Sequence, residues 1–554
     1  MLPPTRSLLL LSLLSLAFAK TSHAQGGGAG GTPLPGSEVR VEKLFDARLG
    51  EAVRVEVQPT LPAVDTAVAP QRYDVVPVDA QIDYDPPRIR PRAIRTEAPP
   101  PAYGGFARAG AGFAPGWIAD LGYATNDEQK ALRADAHTYG FAQGDADEPR
   151  YAEVDATLGG TYYRDQLAID LDLDYERRMY RYYGFAAATR APDTTRLPDE
   201  LDDQYFGVFG IRAGVRNARP TTSGIDYHAG VGFQILDDNF ANKQRDFTLA
   251  AGARRDFGAD WWASLALDVD ATTYENDGEQ SLNNYLLTPT VGTKVGALGV
   301  RLGAVIANSD DAFRAFPDAE LSYNLGGGFV VVAGADGGLT KNDYRRLTRF
   351  NPYLASDIEI RNAERWRGYL GVQGQTRGVT YAAKASYTRV NNIALFAFDP
   401  AAAYRFVPVY DTAGILGLHL TASTAITDRV TGLIAVDARD FSLDGADEPF
   451  GLPSFDARAR ASYEVVPDRF RVEGSVTFQN APPFAAPTAS EPGPIDPDDL
   501  TSALFDVSVH GTYAISERFG AFAQLNNLLN NRRERIPYYP ILGANVLAGV
   551  TARF

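Results

Sequence analysis

The sequence predicts an all-β fold, a transmembrane antiparallel β-barrel of about 22 strands behind a short Pro-rich extension. Three observations predict it. The chain closes on an alternating strand that ends in an aromatic residue. It opens on an apolar segment too short to span a bilayer. Between the two, from about residue 103, amphipathic strands follow one another, joined alternately by tight turns and long polar connections.

The amino end reads as a secretory signal. Arg6 supplies the positive charge, and Leu8 to Phe18 is an apolar run broken only by Ser12 and Ser15. Ala17-Phe18-Ala19 and Ser22-His23-Ala24 both fit a small-x-small cleavage site. A spanning helix needs about 20 apolar residues, so residues 1–24 are set aside from the fold. No later segment approaches 18 consecutive apolar residues, which excludes a helical membrane protein. The chain has no Cys, which excludes a lipoprotein signal, disulfides and thiolate metal sites. A net charge of −16 argues against a nucleic-acid partner.

Residues 25–102 form the extension. Gly26-Gly27-Gly28, Pro33 and Pro35 mark a linker. Ala52-Val53-Arg54-Val55-Glu56-Val57 alternates, either as an edge strand for a periplasmic partner or as an ordinary short strand. Pro77, Pro86, Pro87, Pro91 and Pro99 to Pro101 bias residues 71–102 to polyproline-II geometry. Arg88, Arg90, Arg92 and Arg95 interleave with them, so the segment reads as an extended basic periplasmic tether.

Residues 103–554 form the barrel. Leu167, Ile169, Leu171, Leu173 and Tyr175 alternate with Ala168, Asp170, Asp172, Asp174 and Glu176. Period two sends the apolar set to lipid and leaves Asp170, Asp172, Asp174 and Glu176 facing a wet lumen. Phe470 to Gln479 and Phe505 to Tyr513 alternate likewise. Strand centres fall near 107, 121, 136, 157, 174, 210, 230, 250, 267, 289, 303, 320, 333, 370, 385, 418, 435, 459, 475, 508, 524 and 548. The segments near 136 and 418 leave counts of 20 or 24 open. Tight turns are expected at Arg164-Asp165, Phe257-Gly258, Ala297-Leu298, Gly326-Gly327, Arg377-Gly378, Thr427-Asp428, Pro467-Asp468 and Ser516 to Arg518. Long loops are expected at 184–203, 339–362, 392–411 and 481–500. A soluble propeller would repeat every 40–50 residues or so, and no such repeat is visible.

On the last strand, Leu542, Ala544, Val546, Ala548, Val550, Ala552 and Phe554 share one face. This resembles the sorting signal of outer-membrane barrels, so Val546, Ala548, Val550, Ala552 and Phe554 are the expected assembly signal, read by the barrel-assembly machinery. The preceding segment, Phe522-Ala523-Gln524-Leu525-Asn526-Asn527-Leu528-Leu529-Asn530-Asn531, continues through Pro537-Tyr538-Tyr539-Pro540. It resembles the last hairpin of TonB-dependent outer-membrane receptors. The resemblance implies a 22-strand barrel in outer-membrane lipid that passes a solute. It also implies a folded plug of well over a hundred residues, for which residues 25–102 are too short and too Pro-rich. The expectation is therefore a plugless relative, with TonB engagement in question. The alternative is a non-enzymatic scaffold barrel bound to an outer-membrane or periplasmic protein.

Asp145 to Pro149 and Asp444 to Pro449 repeat an Asp-Glu-Pro pattern, either as oxygen ligands for Ca²⁺ or as solvated acidic loops. His137, His228, His419 and His510 follow the signal, and His510 shares a strand face with Asp506 and Ser508. Neighbours of that kind are routine on a polar wall. The expectation is no catalytic residue, no cofactor and no metal.

Overall fold

The computed structural model describes residues 104–113, 116–127, 129–142, 149–184, 203–309, 312–484 and 501–554. The signal, the Val53–Val57 segment, Arg88, Arg90, Arg92 and Arg95, and the acidic loop at 143–148 lie outside these residues.

Strands dominate because apolar and polar residues alternate almost throughout. The first eight are Gly105–Phe113 (β1), Gly116–Asn126 (β2), Lys130–Ala142 (β3), Arg150–Arg164 (β4), Leu167–Arg181 (β5), Asp203–Asn217 (β6), Ile225–Asp238 (β7) and Lys243–Phe257 (β8). Trp261–Glu275 (β9), Glu279–Val295 (β10), Leu298–Ser309 (β11), Ala312–Gly326 (β12) and Phe329–Asn342 (β13) lead to a short helix, Tyr344–Phe350 (α1). Arg361–Thr376 (β14), Val379–Asp399 (β15), Ala402–Thr427 (β16), Val430–Leu443 (β17), Phe455–Val466 (β18) and Phe470–Gln479 (β19) follow. The chain finishes with Leu504–Ala514 (β20), Phe519–Asn526 (β21), a small hairpin of Glu534–Ile536 (β22) and Tyr539–Pro540 (β23), and Asn545–Arg553 (β24).

All but β22 and β23 join one 22-stranded antiparallel sheet, and each of the 22 expected centres falls within one of its strands. The sheet closes on itself: β1 pairs with β24 from Phe106↔Arg553 to Phe113↔Val546. The Gly105 amide donates to the Phe554 carbonyl at 2.8 Å, and the return bond is 3.0 Å. Closure removes the edges that an open sheet would expose. At the seam Gly110 and Gly549 are register partners, and the Phe522 ring covers both. A side chain on Gly549 would run into the Ala109 carbonyl, so this approach requires glycine. Arg108 lies over the Phe522 ring, 5.4 Å from its centre.

The two ends of the barrel differ. One end carries tight turns, among them Arg377-Gly378 and Gly327-Gly328, with positive φ at all four residues as two-residue hairpins require. The other end carries the long connections, and α1 lies in one of them.

The two faces differ as well. On the outer face Leu171 is 48% exposed, and Leu158, Val231, Leu265, Leu302 and Leu370 are likewise exposed. Exposed aromatic side chains, among them Tyr123, Tyr162, Phe257, Trp261, Tyr323 and Phe519, lie toward the turn end. Phe113, Tyr285, Phe313, Tyr387 and Phe505 lie toward the other. The inner face carries ion pairs between neighbouring strands: Arg108–Asp120, Arg301–Asp318, Arg367–Asp336 and Arg460–Glu473. An apolar outer band between aromatic girdles, around a polar interior, marks an outer-membrane barrel, in which closure satisfies every backbone group in lipid.

One expected loop is not a loop. Residues 392–411 continue β15 and β16 as a ladder up to the turn at 400–401. These strands have 21 and 26 residues, whereas a crossing needs about 9–11, so the hairpin stands well above the membrane band. Asn392, with φ of 57°, marks the register shift where the hairpin leaves the wall.

Candidate functional site at the loop end

The hydrophobic core of this protein lies in its loops. Tyr344, Leu347, Tyr353, Leu354, Ile358 and Ile360 come from the connection carrying α1. They pack with Phe396, Phe398 and Phe406 of the tall hairpin and with Tyr182, Phe484 and Tyr539 of other connections. Phe206 and Val208 (β6), Leu236 (β7), Tyr274 (β9) and Leu282 (β10) complete the cluster from the wall. Tyr353 stacks on Tyr539 with ring centres 3.5 Å apart, and Tyr274 stacks on Tyr344 at 5.0 Å. Such pairs add roughly 0.5–1.5 kcal/mol each beyond the area they bury.

Backbone bonds tie this cap to the hairpin and the wall. The Ala355 amide donates to the Phe406 carbonyl at 2.8 Å, and the Phe406 amide donates to the Tyr353 carbonyl at 3.0 Å. Gln280 of β10 donates to the Ile358 carbonyl and accepts from the Ile360 amide. Buried phenols of the cluster donate to acceptors: Tyr182 to Gln204, Tyr539 to the Tyr404 carbonyl, Tyr344 to Asp238. Burial pushes the Tyr344, Tyr353 and Tyr539 hydroxyls well above their ordinary range, so they remain neutral donors.

At seven residues α1 is too short to be stable alone. Its N-cap, Asp343, accepts from the Arg346 amide at 2.8 Å. Tyr344, Leu347 and Thr348 turn into the cap and are buried. Helical spacing then carries Arg345, Arg346 and Arg349 to the other face. Arg345 and Arg349 both bond Glu176 of β5, and Arg345 also donates to Gln234 of β7. A helix bonded to two separated strands lies inside the barrel mouth.

Beneath the cap is a chamber of about 680 Å³. The wall gives it Asp174, Arg212, Gln234, Asp246, Thr248 and Lys341, and α1 gives it Arg345, Arg346 and Arg349. Lys341 Nζ donates to Asp246 at 2.8 Å, Asp270 at 2.9 Å and Thr272 at 2.6 Å, and lies 3.2 Å from Asp343. Gln244 donates to Asp246 and Asp343. A second cavity, of about 820 Å³, lies at the turn end by the seam, where Arg108, Arg469, Arg471, Arg518 and Arg553 face Asp120, Glu464, Asp468 and Glu517.

No protein-family model and no curated protein matches the chain. Solved structures do. The ferric enterobactin receptor PfeA superposes with a TM-score of 0.60 at 12% identity, over 81% of each chain. The siderophore receptor PirA from Acinetobacter baumannii gives 0.61 at 10%, over 81% of this chain and 80% of that one. The copper transporter OprC gives 0.59 at 13%, over 83% and 82%. The fold is that of the TonB-dependent outer-membrane receptors.

Within this receptor-type barrel the residues singled out from sequence are placed as follows. Asp170 bonds Arg216 and Thr161, and Asp174 bonds Arg212, on the face opposite Leu171. Asp172 shares that face, beside Gly159, and Glu176 meets α1. Val546, Ala548 and Val550 are exposed on β24, with Ala552 partly exposed and Phe554 exposed beyond it, and Leu547 is buried on the other face. Ser508 donates to Asp506, but His510 turns to Asn526, so the three do not form a relay. His137 lies between Asp120 and Glu153, His419 meets Asp437, and the His228 ring covers Gly252. In the described acidic loop, the Gly445 and Ala446 amides bond Asp411 while Asp444 pairs with Arg389. The sequence reading missed Lys341, Arg345, Arg346 and Arg349. The Arg-Arg-x-x-Arg spacing was a usable signal, since it places three guanidiniums on one face of a helix.

Proposed function

We propose that this protein is an outer-membrane transport barrel whose outer mouth is closed by its own loops. One observation carries the reading: a polar, charged cavity lies between the inner wall and the arginine face of α1, the helix whose other face packs into a cap assembled from the loops. A scaffold needs no such chamber. The similar solved structures include receptors and a copper transporter, which supports passage of a solute. With a signal at 1–24 and a Pro-rich extension at 25–102, the reading is of a receptor-type barrel without a folded plug, in which the cap performs the closing role. Outer-membrane lipid is its surrounding, and Val546, Ala548, Val550, Ala552 and Phe554 form the edge its assembly depends on.

The extent of aromatic packing in the cap favours a second reading, a sealed scaffold subunit. Swelling of proteoliposomes in small polar solutes separates the two. Transport predicts solute-dependent swelling that rises when the cap is loosened by Tyr353→Ala. A scaffold predicts none in either protein, while native complexes isolated in mild detergent retain a partner.

A further inference from the structure

The chamber carries two poles of opposite sign. At one, Lys341 sets a single ammonium against Asp246 and Asp343 of the lining and against Asp270, which lies outside it. At the other, Arg345 and Arg349 share Glu176, which also pairs with Arg178. Arg346 lines the chamber, is exposed, and has no ion pair among the described residues. The wall pair Arg212–Asp174 between the poles is balanced. The first pole is therefore in excess of negative charge and the second in excess of positive charge.

The helix fixes their separation. Asp343 caps α1, with Arg346 three residues on and Arg349 six. At 1.5 Å rise per residue these lie about 5 and 9 Å along the axis from the acidic pole. A simple anion would meet the surplus carboxylates, and a simple cation the surplus guanidiniums. A ligand carrying both charges meets each pole with its opposite, and mismatched charge placement is what such sites reject. The termini of a peptide of two or three residues are separated by about 7–10 Å at roughly 3.5 Å per residue. A volume of about 680 Å³ lies within the usual range for small-molecule sites.

We infer that the chamber binds a zwitterionic solute of the short-peptide class, its carboxylate on Arg346 and Arg349 and its ammonium on Asp246 and Asp343. The inference deepens the transport reading and rests on it for the chamber's place on a solute path.

Calorimetric titration of the full chain in detergent tests it, with three probes: the dipeptide Ala-Ala, its N-acetyl form and its C-terminal amide. The free dipeptide is expected to bind at least ten-fold more tightly than either blocked form. Arg346→Gln should weaken it about ten-fold and erase its advantage over the amide. Asp270→Asn, which removes one of the carboxylates shared with Lys341, should reduce its advantage over the acetyl form. Both side chains are partly or fully exposed, and unchanged heat-modifiable migration in detergent gels checks that each variant is folded. Equal binding of the free and acetylated dipeptides would reveal an anion site and overturn the inference, as would no binding of any probe. Dipeptide binding without swelling of proteoliposomes would sink the transport reading alone.

Discussion

The barrel wall and the cap bury side chains by opposite rules. On β5, Leu171 is 48% exposed on the outside while Asp170 and Asp174 are tied into ion pairs within. In the cap, Tyr353 is only 6% exposed, and the polar Arg346 and Arg349 face outward from α1 into the chamber. The wall is ordered by lipid, which accepts apolar surface and rejects unpaired backbone. The cap is ordered by water, which drives aromatic rings together. One chain thus contains a membrane protein and a small water-type core, joined where the strands leave the bilayer.

If the two regions are this distinct, substitutions should separate them. The largest effect belongs to the cap. Tyr353→Ala removes a fully packed ring and should cost about 3–5 kcal/mol of cap stability, because the neighbours cannot collapse into the space. Hydrogen exchange should show α1 and the tip of the tall hairpin losing protection while the wall keeps its own. Loss of protection throughout would show that cap and wall are one cooperative unit.

Next comes the wall. Leu171→Arg should cost roughly 2–4 kcal/mol of insertion, measured by refolding into vesicles, whereas Asp172→Arg should cost little. Equal penalties would mean that the faces of β5 are wrongly assigned. A smaller effect is expected at the junction. Asp343→Ala removes the N-cap of α1 and should loosen the helix by about 1 kcal/mol, read as faster exchange at Arg346 and Leu347.

The smallest is a pH effect. Burial raises the pKa of Glu534, against the bond its carboxylate accepts from the Tyr538 amide. A folded-state pKa above the unfolded value favours the protonated, folded cap. Its contribution is full below the unfolded value of about 4.3 and is lost as pH rises through the folded pKa. Protection of the Tyr538–Tyr539 hairpin, taken relative to the intrinsic exchange rate at each pH, should rise on acidification, and Glu534→Gln should remove that dependence.

The wall was legible in the sequence because its rule is local. Leu167 to Glu176 reveals both faces of β5 within ten residues, and tight turns such as Arg377-Gly378 announce themselves by residue type. The cap was not legible because its contacts are distant in sequence. Tyr353 stacks on Tyr539, and Phe406 bonds the backbone at Tyr353 and Ala355, neither of which has a period. The tall hairpin was misread for a related reason. Asn391-Asn392, Pro400 and Pro408 look like loop punctuation, yet Phe396 and Phe398 already alternate, and the ladder resumes at Ile393 after the register shift at the two Asn and runs past Pro408. The chamber needed the cap before its residues could be brought together. Lys341 and Arg349 gain meaning only once β5, β7 and β8 curve around them.

Access to the chamber tests the account most directly. The protein has no cysteine, so Thr248→Cys places a single thiol on the chamber wall with little change of shape. A membrane-impermeant thiol reagent is added outside intact cells, with and without Tyr353→Ala in the same chain. A cap that closes the mouth predicts slow labelling of Thr248→Cys alone and labelling at least ten-fold faster in the double variant. Fast, equal labelling of both would show that the mouth is open and that the cap does not close it.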